Sequence, residues 1–275
     1  MIHGGVSDLF ELLRLTPTAA HTYAGGHVRD ARSRVYGGQF LGQGLMAALA
    51  HTDTPARSLQ GLYLRPGSTA SPLRYQVSET DTPVVQVRSL QNDKCLFSMD
   101  VRIGEPTMAP ALNMPSVPPP EQCIPREEGI QGLARNTDST WAVVDSPFEY
   151  RFVENIWAED YRSPCHNVWF RARDVSSAQR AEPQRVHQAV LAYFSDDNIM
   201  DNALFPHGWH NCWSNLQTAS LDHSLWFHQP IDVGEWLLFA QDSPVGAHGR
   251  GLTRGVFFNA AGDVVASAYQ EILMR

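Results

Sequence analysis

At 275 residues the chain is about 1.8 times an average domain of ~150 residues and allows one large domain or two small ones, and 43% hydrophobic with 18% charged residues excludes disordered and fibrous classes. Against 29 acidic residues stand 21 basic ones, a net charge of −8 with no Lys/Arg tract, so no nucleic acid is expected as partner. No apolar run nears the ~18 to 20 residues of a membrane span. Residues 1–20 carry Asp8, Glu11 and Arg14 within their apolar stretch, unlike a signal peptide, which makes the cytoplasm the expected location.

In chain order, Leu9 to Leu15 predicts a short amphipathic helix and His21 to Gly26 a short strand ending in glycines. A helix follows from about Gly38 to His51, with Leu41, Leu45, Ala48 and Leu49 on one stripe. Asp, Glu, Lys and Arg are absent from Val35 through Thr52, so this helix has no solvent face and something must wrap it. Ser58 to Leu64, Leu73 to Val77, Val84 to Leu90 and Cys95 to Ile103 read as strands, with turns at Arg65-Pro66-Gly67 and Asn92-Asp93. Pro106, Pro110, Pro115, Pro118, Pro119, Pro120 and Pro125 then mark a linker.

Beyond it the order repeats. Phe148 to Ile156 and Val168 to Arg173 predict strands, and Val186, Val190, Leu191 and Phe194 mark a helix from about Pro183 to Ser195. Strands follow at His223 to Phe227, Glu235 to Gln241, Gly251 to Asn259 and Val264 to Leu273, the last two joined at Ala261-Gly262-Asp263. The expected architecture is α+β: two modules, 1–104 and 146–275, each a curved antiparallel sheet around one helix, with 105–145 as linker.

Several residue patterns carry chemistry. No G-x-S-x-G elbow is present, which argues against a serine nucleophile of the α/β-hydrolase kind. Cys95, Cys123, Cys165 and Cys212 form no C-x-x-C pair and read as reduced and mostly buried; His207 and His210 lack a third ligand, so no metal is expected. Gly37, Gly38, Gly42 and Gly44 open the first helix, where free N–H groups receive an anion or where glycine permits close packing. Trp226, Phe227, Trp236 and Phe239 fit an acyl tunnel or plain core. Asp196 and Asp197 follow the second helix directly, although the macrodipole disfavours a carboxylate there; either a function holds them or the helix ends in water. Gln270 sits mid-strand among apolar neighbours and needs a partner if buried, while Ser220 alone reads as a turn or strand-start residue.

Tyr36-Gly37-Gly38-Gln39-Phe40-Leu41-Gly42-Gln43-Gly44 and Leu64-Arg65-Pro66-Gly67 resemble the amino-terminal half of the acyl-CoA thioesterase II (TesB-like) family. The carboxy-terminal half is similar through Val186-His187-Gln188, Ser195-Asp196, Pro206-His207-Gly208, Leu221 through His228, Glu235 through Leu238, Arg254-Gly255 and Ala266 through Glu271. The resemblance implies a double hotdog fold, no cofactor, and hydrolysis of acyl-CoA to free acid and CoA by a water that an Asp, a hydroxyl residue and a Gln orient. By motif match these are Asp196, Ser220 and Gln270, with Gly37, Gly38 and Gln39 as candidate substrate-binding residues. It also implies a homo-oligomer, and the ending Leu273-Met274-Arg275 in place of a Ser-Lys-Leu-type signal again favours the cytoplasm.

The sequence departs from the family's usual pattern at three points. Ser220 stands where Thr is usual. Glu79 through Val84 replaces a longer Arg-Asp-Gly-x-Ser-Phe stretch, which leaves room for a specialised thioester, polyketide-like or carrier-bound. Val101 occupies the first-module position that matches Gln270, so one active site per chain is expected. Rival readings are an acyl-CoA-binding protein without turnover and a hydratase, which would be expected to show an Asp and His pair.

Overall fold

The protein is described from a computed structural model covering residues 6–27, 33–105, 112–131, 146–208 and 216–275. Helix α1 (Val6–Leu13) leads into a hairpin of β1 (Thr16–Ala19) and β2 (Thr22–Gly25). Helix α2 (Gly37–Ala48) follows, and then β3 (Ala56–Tyr63), β4 (Leu73–Glu79), β5 (Val84–Gln91) and β6 (Lys94–Ile103). The alternation in β4 buries Leu73, Tyr75 and Val77 and exposes Arg74, Gln76 and Ser78, as a half-buried strand requires. Asn92 and Asp93 both take positive φ, which lets a tight turn join β5 to β6.

A two-residue strand β7 (Ile124–Pro125) and α3 (Arg126–Gln131) precede β8 (Phe148–Phe152), β9 (Cys165–Ala172) and the short α4 (Ser177–Arg180). Helix α5 (Gln184–Ser195) and α6 (Asp201–Leu204) come next. The chain ends in β10 (Thr218–Ser220), β11 (Asp222–Phe227), β12 (Leu237–Ala247), β13 (Arg250–Asn259) and β14 (Val264–Met274).

Among the described residues one antiparallel sheet of fourteen strands runs β1-β2-β4-β5-β6-β3-β11-β14-β13-β12-β9-β8-β7, with β10 beside β14. The seam is β3 against β11, in register Leu59 to Leu225. From that seam outward the two halves repeat: β3-β6-β5-β4-β2 on one side, β11-β14-β13-β12-β9 on the other. This is the repeated sheet-plus-helix order expected from the sequence.

The two long helices lie back to back and antiparallel. An added Cβ at Gly38 would stand 2.1 Å from the Tyr193 carbonyl oxygen and one at Gly42 3.0 Å from that of Ala189, so glycine is what lets the backbones approach. Helix α2 is buried on nearly every side, as its lack of charge demanded. The amide of Gln43 is satisfied: its Nε2 donates to the Leu12 and Gly26 carbonyls, and its Oε1 accepts from Tyr75 at 2.9 Å. One continuous core joins both halves, with Leu41 and Leu45 from α2 and Val190 and Phe194 from α5 fully buried in it.

The short strands β1 and β10 were not expected, β12 runs on to Ala247, and Trp236 stays outside it. β1 carries Pro17 and is exposed throughout, so it has no alternation to read. Linker residues Pro106 and Pro110, and the histidine at 210, lie outside the described residues. No described helix is long and apolar enough to cross a membrane.

Candidate active site

Helix α5 delivers the carboxylates. Its last apolar residues pack into the core, and Asn198, at φ 63°, turns the chain out of the helix. Asp196 and Asp197 therefore follow the helix into a buried place and are only 5% and 7% exposed. Solvation does not stabilise them; specific donors do. Asp197 accepts from the Tyr150 hydroxyl at 2.6 Å, and the Arg126 guanidinium lies over the Tyr150 ring.

The end of the sheet supplies the other two groups. β10 pairs with the last turn of β14, Ser220 opposite Ile272, which carries the Ser220 hydroxyl to Asp196 Oδ1 at 2.9 Å. On β14 the even-numbered residues face the core, which puts Gln270 between Ala268 and Ile272 and fully buries it. Its Nε2 donates to Ser220 Oγ at 3.0 Å. Asp196, Ser220 and Gln270 thus meet although they come from three elements.

A fourth donor crosses from the first half. The backbone N–H of Gly38 donates to Asp196, and an added Cβ on Gly37 would lie 2.5 Å from Asp196 Oδ2. The positive start of α2 therefore faces the carboxylate at the negative end of α5, which removes the macrodipole penalty seen in the sequence. Tyr63 donates to the Gly37 carbonyl at 3.1 Å and Tyr36 to the Tyr193 carbonyl at 3.2 Å, pinning this wall of the site. Gln39 turns away: its Nε2 donates to the Gly26 carbonyl and to Gln43 Oε1, and it also meets His27. The structure brings Gly37 and Gly38, but not the Gln39 side chain, to Asp196.

The electrostatics follow from burial. Loss of water pushes the Asp196 carboxyl up to about 7, the charge of Asp197 adds to the shift, and the bonds from Ser220, Gln270 and Gly38 oppose it. Burial also raises Tyr36 and Tyr63 well above the usual phenol range, with Asp196 contributing to both, so they stay neutral donors.

The pseudo-symmetric place in the first half is apolar. Leu49 follows the last residue of α2 where Asp196 follows that of α5, and β6 has Val101 where β14 has Gln270; Leu49 and Val101 are fully buried. Of the four tunnel candidates, Phe227 and Phe239 are core, Trp226 is 36% exposed on the outer face, and Trp236 packs in a second cluster beneath Arg171. The four thus lie in different surroundings and not along one wall. Cys95, Cys123 and Cys165 are free, with Cys165 exposed where burial was expected; Cys212 is outside the described residues. Among the described residues no cluster of His, Cys, Asp and Glu could hold a metal.

His223 and Tyr63 received no role from the sequence, though strand parity placed His223 with Leu225 and Phe227 on the core face, where an imidazole must find partners.

The family described as Acyl-CoA thioesterase matches residues 153–273, the stretch that carries Asp196, Ser220 and Gln270. Human acyl-coenzyme A thioesterase 8 is 29% identical over 284 residues, spanning 96% of this chain and 88% of its own. The solved structure of acyl-CoA thioesterase II TesB2 from Mycobacterium marinum aligns with a TM-score of 0.77 at 28% identity over 96% of this chain and 97% of that one. A hot dog fold protein from Alicyclobacillus acidocaldarius aligns at 0.74 with 14% identity over 97% and 98%, which bears on the fold alone. With its paired sheet-and-helix halves, the chain has the double hotdog fold, and it is similar over nearly its whole length to acyl-CoA thioesterases of the TesB-like kind.

Proposed function

We propose that the chain hydrolyses acyl-CoA to free acid and CoA by direct attack of a water held by Asp196, Ser220 and Gln270, with no covalent acyl-enzyme. The observation that carries this is the bonded trio itself: a buried carboxylate with a pKa near 7, linked at 2.9 Å to a hydroxyl that a buried amide holds at 3.0 Å. A general base is most effective when its pKa lies near the working pH.

In this reading Asp196 takes a proton from the water as its oxygen bonds to the thioester carbonyl carbon. The C–S bond of the resulting intermediate then breaks, and the proton passes to the departing thiolate. Ser220 and Gln270 hold the water and the carboxylate in register, so the attack is effectively intramolecular. Thiolate is a fair leaving group, which suits a site with no strong acid beside it. Gly37 and Gly38 present the positive end of α2 to the reacting carbonyl, while Gln39 braces the segment at Gly26 and His27.

The same reading assigns residues 146–275 as the module bearing the trio, 1–104 as the module that covers it, and a cytoplasmic homo-oligomer as the working form. Leu49 and Val101 at the mirrored place support one site per chain.

The test is release of free CoA thiol from a panel running from acetyl- to stearoyl-CoA with branched and aromatic members, for wild type beside Asp196→Asn. Turnover that the folded Asn variant loses is the expected result. Turnover of none by the wild type would reject CoA esters as substrates and favour carrier-bound thioesters or binding without turnover.

A further inference from the structure

Behind the trio lies a second set of polar groups with no exposure to solvent. Ser195, His223 and Gln270 are each 0% exposed. His223 Nδ1 lies 2.5 Å from Gln270 Oε1, and His223 Nε2 lies 2.8 Å from Ser195 Oγ. With the Gln270 and Ser220 bonds these contacts form one chain, Ser195 to His223 to Gln270 to Ser220 to Asp196. It starts and ends on adjacent residues of one helix terminus.

We infer that His223 is a positioning residue for hydrolysis, its Nδ1–H fixing the Gln270 amide so that the NH2 group, not the carbonyl, faces Ser220 and Asp196. The inference rests on the reading of Gln270 given above.

The two ends of an amide are alike in shape, so something outside must choose between them. Reversed, Gln270 would turn its oxygen toward the carboxylate, acceptor against acceptor, and toward Ser220, which could donate to it only by giving up its bond to Asp196. The carboxylate favours the NH2 end, but only if the far oxygen finds a donor in a place without water; His223 is that donor. Burial lowers its pKa to about 4, so the ring is neutral at working pH and has one N–H. With that proton on Nδ1, Nε2 must accept, and the Ser195 hydroxyl stands there to donate; the Ala192 carbonyl, 2.9 Å from the same oxygen, is its competing acceptor. The opposite tautomer would reverse every donor in the chain and present Gln270 Oε1 to the site. The same two neighbours in space, one imidazole and one hydroxyl, thus set which face of the amide the reacting water meets.

The test has a spectroscopic arm and a kinetic arm. Nitrogen-15 NMR of the imidazole-labelled wild type at about pH 8 should show His223 as the neutral Nδ1–H tautomer; the Nε2–H tautomer would overturn the inference whatever the activity. In kinetics with the best acyl-CoA, His223→Leu should lower kcat by about 10- to 100-fold with KM changed less than about 3-fold, the size of losing one preorganised donor. His223→Asn, whose amide nitrogen reaches the Nδ1 place, should recover most of that loss. A folded Leu variant with wild-type kcat, or an Asn variant as poor as Leu, would overturn it. Gln270→Ala separates the two levels: if it retains turnover, the reading of Gln270 falls and the inference with it. If Gln270→Ala is inactive while His223→Leu is not, the inference alone falls.

Discussion

Gly38, at the start of one central helix, donates its backbone N–H to the carboxylate of Asp196, at the end of the other. Two helix ends of opposite polarity thereby meet across the two halves of the chain, and the proposed base depends on the half whose matching place is apolar. Gly37→Ala should show the dependence. A Cβ there would lie 2.5 Å from Asp196 Oδ2, while Ala is otherwise the better helix residue. The expected outcome is a kcat about 10-fold lower or worse with little change in thermal midpoint. Gly38→Ala should differ, because its Cβ meets the Tyr193 backbone oxygen, which cannot move aside; a stability loss of about 1–3 kcal/mol by urea unfolding is expected.

With Asp196 as the proposed base, the acid limb of the rate profile should follow its carboxyl. Only the ionised carboxylate accepts the water's proton, and its pKa is pushed up to about 7 by burial. kcat should therefore fall about tenfold per pH unit below that point and level off above it. A profile flat from about pH 5 to 8 would remove Asp196 from the role of base.

Ser220 both accepts from Gln270 and donates to Asp196, so its hydroxyl is the joint of the trio. Ser220→Ala should lower kcat by about 10- to 100-fold and shift the acid limb to higher pH, since a bond that lowers the carboxyl pKa is lost. Ser220→Thr keeps the oxygen and restricts its rotamers, and should stay within about 3-fold of wild type. Equal losses in both variants would point to packing and not to the hydroxyl.

Much of this was legible because it is periodic. Leu73, Tyr75 and Val77 announce a half-buried strand, and the uncharged run around Leu41 and Leu45 announces a helix that must be wrapped. Gln270 could be suspected from strand parity alone. The trio was reached through resemblance, because nothing local ties Asp196 to a serine on β10 or an amide on β14. The Gly38 contact and the β3–β11 seam were not legible at all: they depend on how one half docks on the other. His223 stood inside a quoted motif without a role, since its partners lie 28 and 47 residues away along the chain. The helix end was misjudged for a different reason. Leu49 keeps the apolar period, yet the helix stops at Ala48 and the chain turns through Ala50 and Thr52.

The buried Asp196 carboxyl has a stability consequence of defined sign. In the unfolded chain Asp196 ionises near 3.8, but in the folded protein only near 7. Between these values unfolding releases a proton, so stability falls as pH rises through this window and the deficit is constant above about 7. Its upper limit is on the order of 4 kcal/mol, at about 1.36 kcal/mol per unit. Asp196→Asn keeps the shape and one of the two acceptor oxygens but cannot ionise. The variant should therefore be inactive yet more stable than wild type at about pH 8, with the advantage shrinking toward about pH 5. Urea unfolding at the two pH values checks this. An advantage of equal size at both would mean that packing, and not the cost of a buried charge, separates the two proteins.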